Sequence, residues 1–418
     1  MANWRKVKLA DHVSLVAGFP FKSQQFTDGP DYIPLVKGEN VSQGRILWDI
    51  SKRWPASDWE QMERFHLLPG DVVVAMDRPW VPAGLKWSFI REGDPKALLV
   101  QRCARLRSSS KALDQAFLRF VVGGPGFENY VKPITTGVNV PHISGKQILD
   151  FEFTLPPLFA QHRIAGILSA YDELIENSQR RIKILEEMAR ALYREWFVHF
   201  RFPGHESVPR VTSTLGEIPQ GWDVKTVGDV FDVVGGGTPS RKEDRFWEGG
   251  VIQWFSPSDL TSAGTLFMDD SSDHITEAGL AESSARLFPA KSVMLTSRAT
   301  IGAIAINTSV ACTNQGFITC LPNKQVPLNF LYQWVRENVP NFQRMASGAT
   351  FKEISRGVFK TIQFLQPKTE LVQLYESSAA PLAEQCLTLQ RQIANLQRTR
   401  DLLLPRLLSG EVTLAGPK

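Results

Sequence analysis

Residues able to do chemistry are plentiful in this chain, but no spacing gathers them into a catalytic set. Seven histidines and 43 acidic residues could act as general acids and bases, yet nothing in the linear order pairs them. A Gly-x-Ser-x-Gly elbow, a His-Glu-x-x-His helix and a Cys-His-Asn arrangement do not occur. A GxxxxGK[ST] phosphate loop is also absent. Gly235-Gly236-Gly237-Thr238-Pro239-Ser240-Arg241-Lys242 is glycine-rich, but its lysine does not follow a closing glycine. It reads as a tight loop whose glycines supply positive φ. The Asn/Asp-Pro-Pro-aromatic tetrapeptide that holds an amino group for methyl transfer is missing too, since Leu155-Pro156-Pro157-Leu158 lacks the amide.

Polar and basic loops at matching places along the chain are what the sequence does offer. Gly18-Phe19-Pro20-Phe21-Lys22-Ser23 matches Gly237-Thr238-Pro239-Ser240-Arg241-Lys242. Lys37-Gly38-Glu39-Asn40 matches Ser256-Pro257-Ser258-Asp259, and Asp77-Arg78-Pro79-Trp80 matches Ser297-Arg298-Ala299-Thr300. Arg and Lys bind phosphates or guanine edges, and Asn or Gln can read adenine. The candidate DNA contacts are therefore Lys22, Ser23, Lys37, Asn40, Arg78, Thr238, Ser240, Arg241, Lys242, Ser256 and Arg298. A solvated surface loop would carry the same residue types, so it is their recurrence that points to nucleic acid.

The recurrence belongs to a duplication. Trp4-Arg5-Lys6-Val7-Lys8-Leu9 resembles Trp222-Asp223-Val224-Lys225-Thr226-Val227 at a separation of 218. Leu68-Pro69-Gly70-Asp71-Val72-Val73 resembles Phe288-Pro289-Ala290-Lys291-Ser292-Val293 at 220. Gly137-Val138-Asn139-Val140-Pro141-His142-Ile143-Ser144 resembles Gly348-Ala349-Thr350-Phe351-Lys352-Glu353-Ile354-Ser355 at 211. Phe153-Thr154-Leu155-Pro156 resembles Phe364-Leu365-Gln366-Pro367 at the same 211. The first copy thus carries about nine extra residues between Asp71 and Gly137. A period this long means a domain used twice, not a solenoid.

Each copy opens with short apolar runs among Gly, Pro and aromatics. Val72–Met76, Ser292–Thr296, Leu99–Leu106 and Ile301–Ile306 read as strands, and Ala116–Val122 and Asn329–Val335 as short helices. Each copy closes with a long apolar stripe. The first runs Ile164, Leu168, Tyr171, Ile175, Ser178, Ile182, Leu185, Ala189, Leu192, Trp196. The second runs Leu382, Cys386, Leu389, Ile393, Leu396, Arg400, Leu403, Leu407. Alternating steps of four and three make the 3.5-residue period of a coiled-coil seam, spanning about 50 Å in the first copy at ~1.5 Å per residue. The simplest geometry is an exposed antiparallel pair, with a kink or restart at Pro381. Ile182, Leu185, Leu192, Trp196, Phe197, Ile393, Leu396, Leu403 and Leu407 are the candidate helix-pair or partner-interface residues. Core packing is the plainer account of Trp196, Phe197, Leu407 and Leu408.

Composition sets the limits. The 418 residues are 43% hydrophobic and 22% charged, an ordinary globular balance that excludes large-scale disorder. The net charge of +4 excludes an acidic solvating protein and is too thin to establish a DNA binder. Cys103, Cys312, Cys320 and Cys386 are scattered, without Cys-x-x-Cys, and read as reduced thiols. No apolar run approaches a membrane span, and Met1–Lys6 does not open a signal peptide.

These features together resemble the specificity subunits of type I restriction-modification systems, over nearly the whole chain. Arg400-Asp401-Leu402-Leu403-Leu404-Pro405-Arg406-Leu407-Leu408-Ser409-Gly410-Glu411 resembles that family's C-terminal conserved region. Leu185-Glu186-Glu187-Met188-Ala189-Arg190-Ala191-Leu192-Tyr193-Arg194-Glu195-Trp196-Phe197-Val198 resembles its central one, and Gly236-Gly237-Thr238-Pro239-Ser240 a common family loop. The resemblance implies an α+β fold, with two β-rich target recognition domains related by internal duplication and separated by two long antiparallel coiled-coil helices. The boundaries expected are 1–160 for the first domain, 161–200 for the central helix, 201–221 for a linker, 222–368 for the second domain and 369–410 for the C-terminal helix. It further implies a non-catalytic, cytoplasmic subunit without metal or cofactor. Such a subunit binds double-stranded DNA at an asymmetric bipartite target, its helices setting the half-site spacing. Its partners are modification (methyltransferase) subunits, two of them, and restriction/translocase subunits, which use S-adenosylmethionine, ATP and Mg²⁺. A stand-alone nucleic-acid-modifying enzyme and a coiled-coil protein-interaction scaffold are the alternatives.

Overall fold

The computed structural model describes residues 4–27, 29, 32–135, 141–348 and 351–412. Of the matched segments, Gly137–Val140 and Ala349–Thr350 lie outside them. The chain forms two compact units, residues 1–175 with 395–418, and residues 176–394.

The first unit is built on a four-stranded antiparallel sheet in the order Trp87–Phe89, Val72–Ala75, Cys103–Ser108, Val13–Ala17. Val72-Val73-Val74-Ala75 is apolar without alternation because both faces of this strand are covered. Val72 and Val74 enter one core, and Val73 and Ala75 enter another, as the two-residue period of a strand requires. A second sheet runs Arg53–Trp54, Ile33–Val36, Ala97–Leu99, His66–Leu67, and its Ile33–Val36 and Ala97–Leu99 are parallel. Arg5–Lys8 pairs with Glu152–Leu155.

The second unit repeats the plan. Ile304–Asn307, Val293–Thr296, Phe317–Cys320 and Val233–Gly235 stand in the same sheet order, extended by Phe267–Met268. Val293 and Leu295 face one core and Met294 another. Ile252–Phe255 and Ala311–Thr313 are parallel, as their counterparts are, and Asp223–Thr226 pairs with Gln363–Gln366.

Several expectations change on folding. Leu99–Leu106 is not one strand. Ala97–Leu99 belongs to the second sheet and Cys103–Ser108 to the first, and the chain crosses between them at Val100–Arg102, with Arg102 at φ +69°. A hydropathy pattern cannot register a left-handed turn at a charged residue. Asn329–Val335 is part of a longer helix, Leu328–Met345. The segment read as a linker holds a hairpin, Arg210–Ser213 with Gly216–Pro219.

The long helices run Leu158–Tyr193, with a π-turn at Arg194–Val198, and Thr369–Leu408. The second does not restart at Pro381. Loss of one amide hydrogen is tolerated there because Val372, Tyr375, Ala379 and Cys386, on both sides of it, are buried in one core. Within the second unit the Tyr375 hydroxyl donates to the Ala189 carbonyl (3.2 Å), and the Cys386 thiol to that of Ile182 (3.9 Å). Rising numbers on one helix meet falling numbers on the other, so the pair is antiparallel. Every stripe residue is buried or half-buried, including Ser178, the one polar slot of the first helix. The pair is not an exposed rod, however. Ile164, Leu168 and Leu407 belong to a core of the first unit, and Tyr193, Phe197, Tyr375 and Cys386 to one of the second.

Candidate nucleic-acid interface

Strand register decides which loops meet. In the second unit Thr296 pairs with Phe317, and Gly235 with Ile318. The segments following 296 and 235 and the segment preceding 317 therefore emerge at one end of the sheet. In the first unit Ala75 pairs with Cys103, and Ala17 with Ala104, which gathers the corresponding loops at the corresponding end. Nearly all the candidate loops thus collect on one end of each unit.

The same backbone bonds lock both ends. In the first unit Ile143 N–H donates to Met76 O (2.9 Å) and Arg78 N–H to Pro141 O (2.6 Å). In the second, Ile354 N–H donates to Ser297 O and Ala299 N–H to Lys352 O, both at 3.0 Å. Arg78 and Ala299 each hold positive φ, +45° and +60°, a strained conformation for non-glycine residues. This equivalence moves the match by one residue: Arg78 corresponds to Ala299, and Arg298 to Asp77. The carboxylate accordingly comes first in one pair and second in the other. Asp77 Oδ1 faces His142 Nδ1 at 2.6 Å, and Arg298 Nε faces Glu353 Oε2 at 3.7 Å.

The glycine-rich loop has a different cause from the one its composition indicates. Gly235, Gly236 and Gly237 do not take positive φ. They are glycines for lack of room. A Cβ on Gly236 would lie 2.1 Å from the carbonyl oxygens of Thr313 and Asn314, and one on Gly18 would lie 2.2 Å from Val100 O. Gly18 is therefore the partner of Gly236, again one residue from the sequence match.

The candidate DNA contacts divide into free and committed groups. Lys22, Ser23, Arg78, Thr238, Ser240, Lys242 and Arg298 are exposed; of these Thr238 donates to Gln315 and Arg298 faces Glu353, while Lys22, Arg78 and Lys242 form no ion pair among the described residues. Asn40 is fully buried. Its Oδ1 accepts from Lys37 N–H (2.8 Å), and its amide donates to Leu35 O (2.9 Å) and Ser51 Oγ (3.1 Å), so it has no edge to present to a base. Its partner Asp259 locks the matching turn by accepting from Ser256 N–H (2.7 Å), Ser256 Oγ (2.6 Å) and Ser272 N–H (2.9 Å). Burial alone would push the Asp259 carboxyl up; these hydrogen bonds outweigh it and hold it below the usual carboxylate range. Recurrence at this site therefore reflects turn architecture, and Ser256 is a helix cap. Lys37 pairs with Glu39 at 2.7 Å. Arg241 lies 3.5 Å from the Trp247 ring centre and pairs with Asp273. Ser240 uses its carbonyl to accept from Trp247 Nε1 at 3.0 Å.

The helix candidates are accounted for locally. Phe197 and Leu407 are buried, Ile182, Leu185, Leu192, Trp196 and Leu403 pack against the cores, and Ile393 and Leu396 are half-buried.

Sequence reasoning missed Gln101 and Gln315. Both are exposed and stand at the point where the chain crosses from one sheet to the other. Arg102, beside Gln101, is also exposed, as are Lys352, whose carbonyl accepts from Ala299 N–H, and Arg356, which opens the helix Arg356–Lys360. The glutamines are 214 residues apart, between the separations of 220 and 211 that flank them, and that signal would have found them.

All four cysteines are free and buried, and burial pushes the Cys103 and Cys312 thiols up to about 12 and that of Cys386 to about 11. Among the described residues no three metal-ligating side chains gather, and no helix is long and apolar enough to cross a membrane.

Comparison with known proteins agrees with this duplicated plan. The sequence matches the family described as type I restriction modification DNA specificity domain twice, over residues 1–187 and 219–374. It is similar to the type I restriction enzyme MjaIX specificity subunit of Methanocaldococcus jannaschii, 27% identical over 71% of this chain and 68% of that protein. It is also similar to the HindI specificity subunit of Haemophilus influenzae, 22% identical over 99% of this chain and 100% of that one. The fold resembles the crystal structure of the S subunit of a type I restriction-modification system from M. genitalium. The TM-score is 0.61 at 16% identity, covering 97% and 96% of the two chains.

Proposed function

Because the chain belongs to the type I restriction-modification DNA specificity family, we propose that it is the DNA sequence-specificity subunit of such a complex, each β-rich unit reading one half of a split target. One observation carries this reading. The same loops are gathered at the same end of the sheet in both units, on one backbone scheme but with different side chains. Asp77 and His142 stand where Arg298 and Glu353 stand. A common frame with different reading groups predicts two unlike half-sites and hence an asymmetric target. Exposed cations such as Lys22, Arg78, Lys242 and Arg298 supply salt-dependent phosphate affinity, while a few base contacts supply discrimination.

The chain itself is not the catalyst. It docks two modification subunits and the restriction subunits in the cytoplasm, and S-adenosylmethionine, ATP and Mg²⁺ are used by those partners. Mapping methylated adenines in the host genome with and without this gene tests the reading. A split motif that vanishes on deletion is expected, and an unchanged methylation pattern overturns it. Incubating the purified chain with DNA, S-adenosylmethionine, Mg²⁺ and ATP tests the non-catalytic role, and turnover without partner subunits overturns that.

A further inference from the structure

The crossing point between the two sheets is repeated at the reading ends of both units. Val100 N–H donates to Val36 O (2.9 Å) and Phe19 N–H to Leu99 O (3.0 Å). In the other unit Asn314 N–H donates to Phe255 O (3.0 Å) and Gly237 N–H to Thr313 O (2.9 Å). Gly18 and Gly236 press against these corners so closely that neither has room for a Cβ. The residue at each corner is an exposed glutamine. Gln101 makes no side-chain hydrogen bond among the described residues. Gln315, which is exposed, accepts one from the Thr238 hydroxyl at 2.6 Å, which leaves one acceptor lone pair and both donors without a partner among the described residues. Cations stand close by in sequence and space. Arg102 follows Gln101. Ser297, beside Arg298, donates its N–H to the residue after Gln315 (2.8 Å), and the Arg356 guanidinium lies against Gly235.

An exposed amide on a fixed backbone, with hydrogen-bonding capacity to spare and cations beside it, has the chemistry of a base reader. Resting on the proposed function, we infer that Gln101 and Gln315 are the matched base-reading positions of the two units, each taking adenine through the paired acceptor and donor of its major-groove edge. Many exposed side chains are idle. Here the same residue type occupies a corner that both units hold by equivalent bonds.

The test uses the complete chain assembled with its modification subunits, acting on a random-sequence DNA library whose methylated motifs are then read. Gln315→Ala is expected to relax one position of one half-site, with discrimination there falling roughly ten- to a hundredfold, and to leave the other half unchanged. Gln101→Ala is expected to do the same in the opposite half. Gln315→Glu, which offers acceptors only, is expected to move the preference at that position from adenine toward cytosine, and it decides the matter should the alanine variant not assemble. A motif unaltered at every position overturns the inference. So does a uniform loss of methylation with the motif intact, which marks a phosphate or scaffold role. If the wild-type complex yields no split motif, the proposed function itself fails, and that outcome is distinct from a normal motif indifferent to the glutamines.

Discussion

Arg400 and Asp172 meet between the two long helices, guanidinium Nη1 to carboxylate Oδ1, at 2.8 Å. Arg400 occupies a slot of the heptad stripe where an apolar residue is expected, and the same carboxylate faces Arg119 at 3.5 Å. Burial would lower the Arg400 pKa, but the hydrogen bonds to Asp172 and Asp401 outweigh it and raise it. A charged residue in a seam fixes register at some cost in stability.

Asp172→Ala leaves two partly buried cations without that partner. Losing one member of a buried pair costs about 3–5 kcal/mol. The two side chains here are 29% and 28% exposed, so about 2 kcal/mol is expected in denaturant unfolding of the first unit. Arg400→Leu restores an apolar seam and is expected to cost less. If it costs more, the ion pair is not what Asp172→Ala disturbs.

Tyr375 is fully buried, with Phe197 at 5.4 Å, Tyr193 at 5.9 Å and Phe330 at 6.3 Å between ring centres. Tyr375→Phe loses only the bond to Ala189 O, about 1 kcal/mol. Tyr375→Ala opens a cavity and is expected to cost about 3–5 kcal/mol. Thermal melts of the two variants should separate clearly.

Gly236→Ala drives a methyl into two carbonyl oxygens and is expected to destabilise by about 3 kcal/mol or more. Gly249→Ala, at φ +71° with nothing within 4 Å, carries backbone strain alone and is expected to cost about 1 kcal/mol. Equal losses in the two would show that conformational freedom is what the glycine-rich loop requires.

Asp259 gives an acid-sensitive contribution of definite sign. Its folded pKa is depressed, so its stabilisation is complete above the unfolded value near 3.8 and is lost as pH falls through the folded value. Asp259→Asn keeps one acceptor for Ser256 N–H, as Asn40 does for Lys37, but strands Ser272 N–H. It is expected to cost about 1–2 kcal/mol at neutral pH, with the difference from wild type narrowing below pH 4. Parallel unfolding curves down to the lowest pH would remove the carboxylate from the account.

Lys22 and Lys242 are exposed and form no ion pair among the described residues. Alanine at either is expected to weaken DNA binding by the assembled complex on all sequences alike and to reduce the slope of log K against log salt by about 1. The methylated motif should stay the same. A changed motif would make the lysine a base reader.

The features legible in the sequence were those written in local periodicity. The stripe from Ile164 to Trp196 and the all-apolar Val72–Ala75 follow from burial acting on neighbours three, four or two residues apart, and the repeat was visible because its segments keep their order. Contacts made across the fold were illegible. Asn40 has the side chain of an adenine reader, and only its bonds to Leu35 and to Ser51, eleven residues on, make it a turn lock. The one-residue shift that aligns Arg298 with Asp77 appears only when both are seen bridged to their partners.

The amino-acid sequence by itself determined that this is one domain used twice, closed by heptad-patterned helices and lacking any catalytic motif, because hydrophobic burial and duplication leave marks along the chain. Only the tertiary structure decided which recurrent polar residues remain free of internal partners. Freedom depends on what lies opposite in space. Gly236 beside Thr313 and Gln315 at the crossing between two sheets are set by strand register, which no local pattern records.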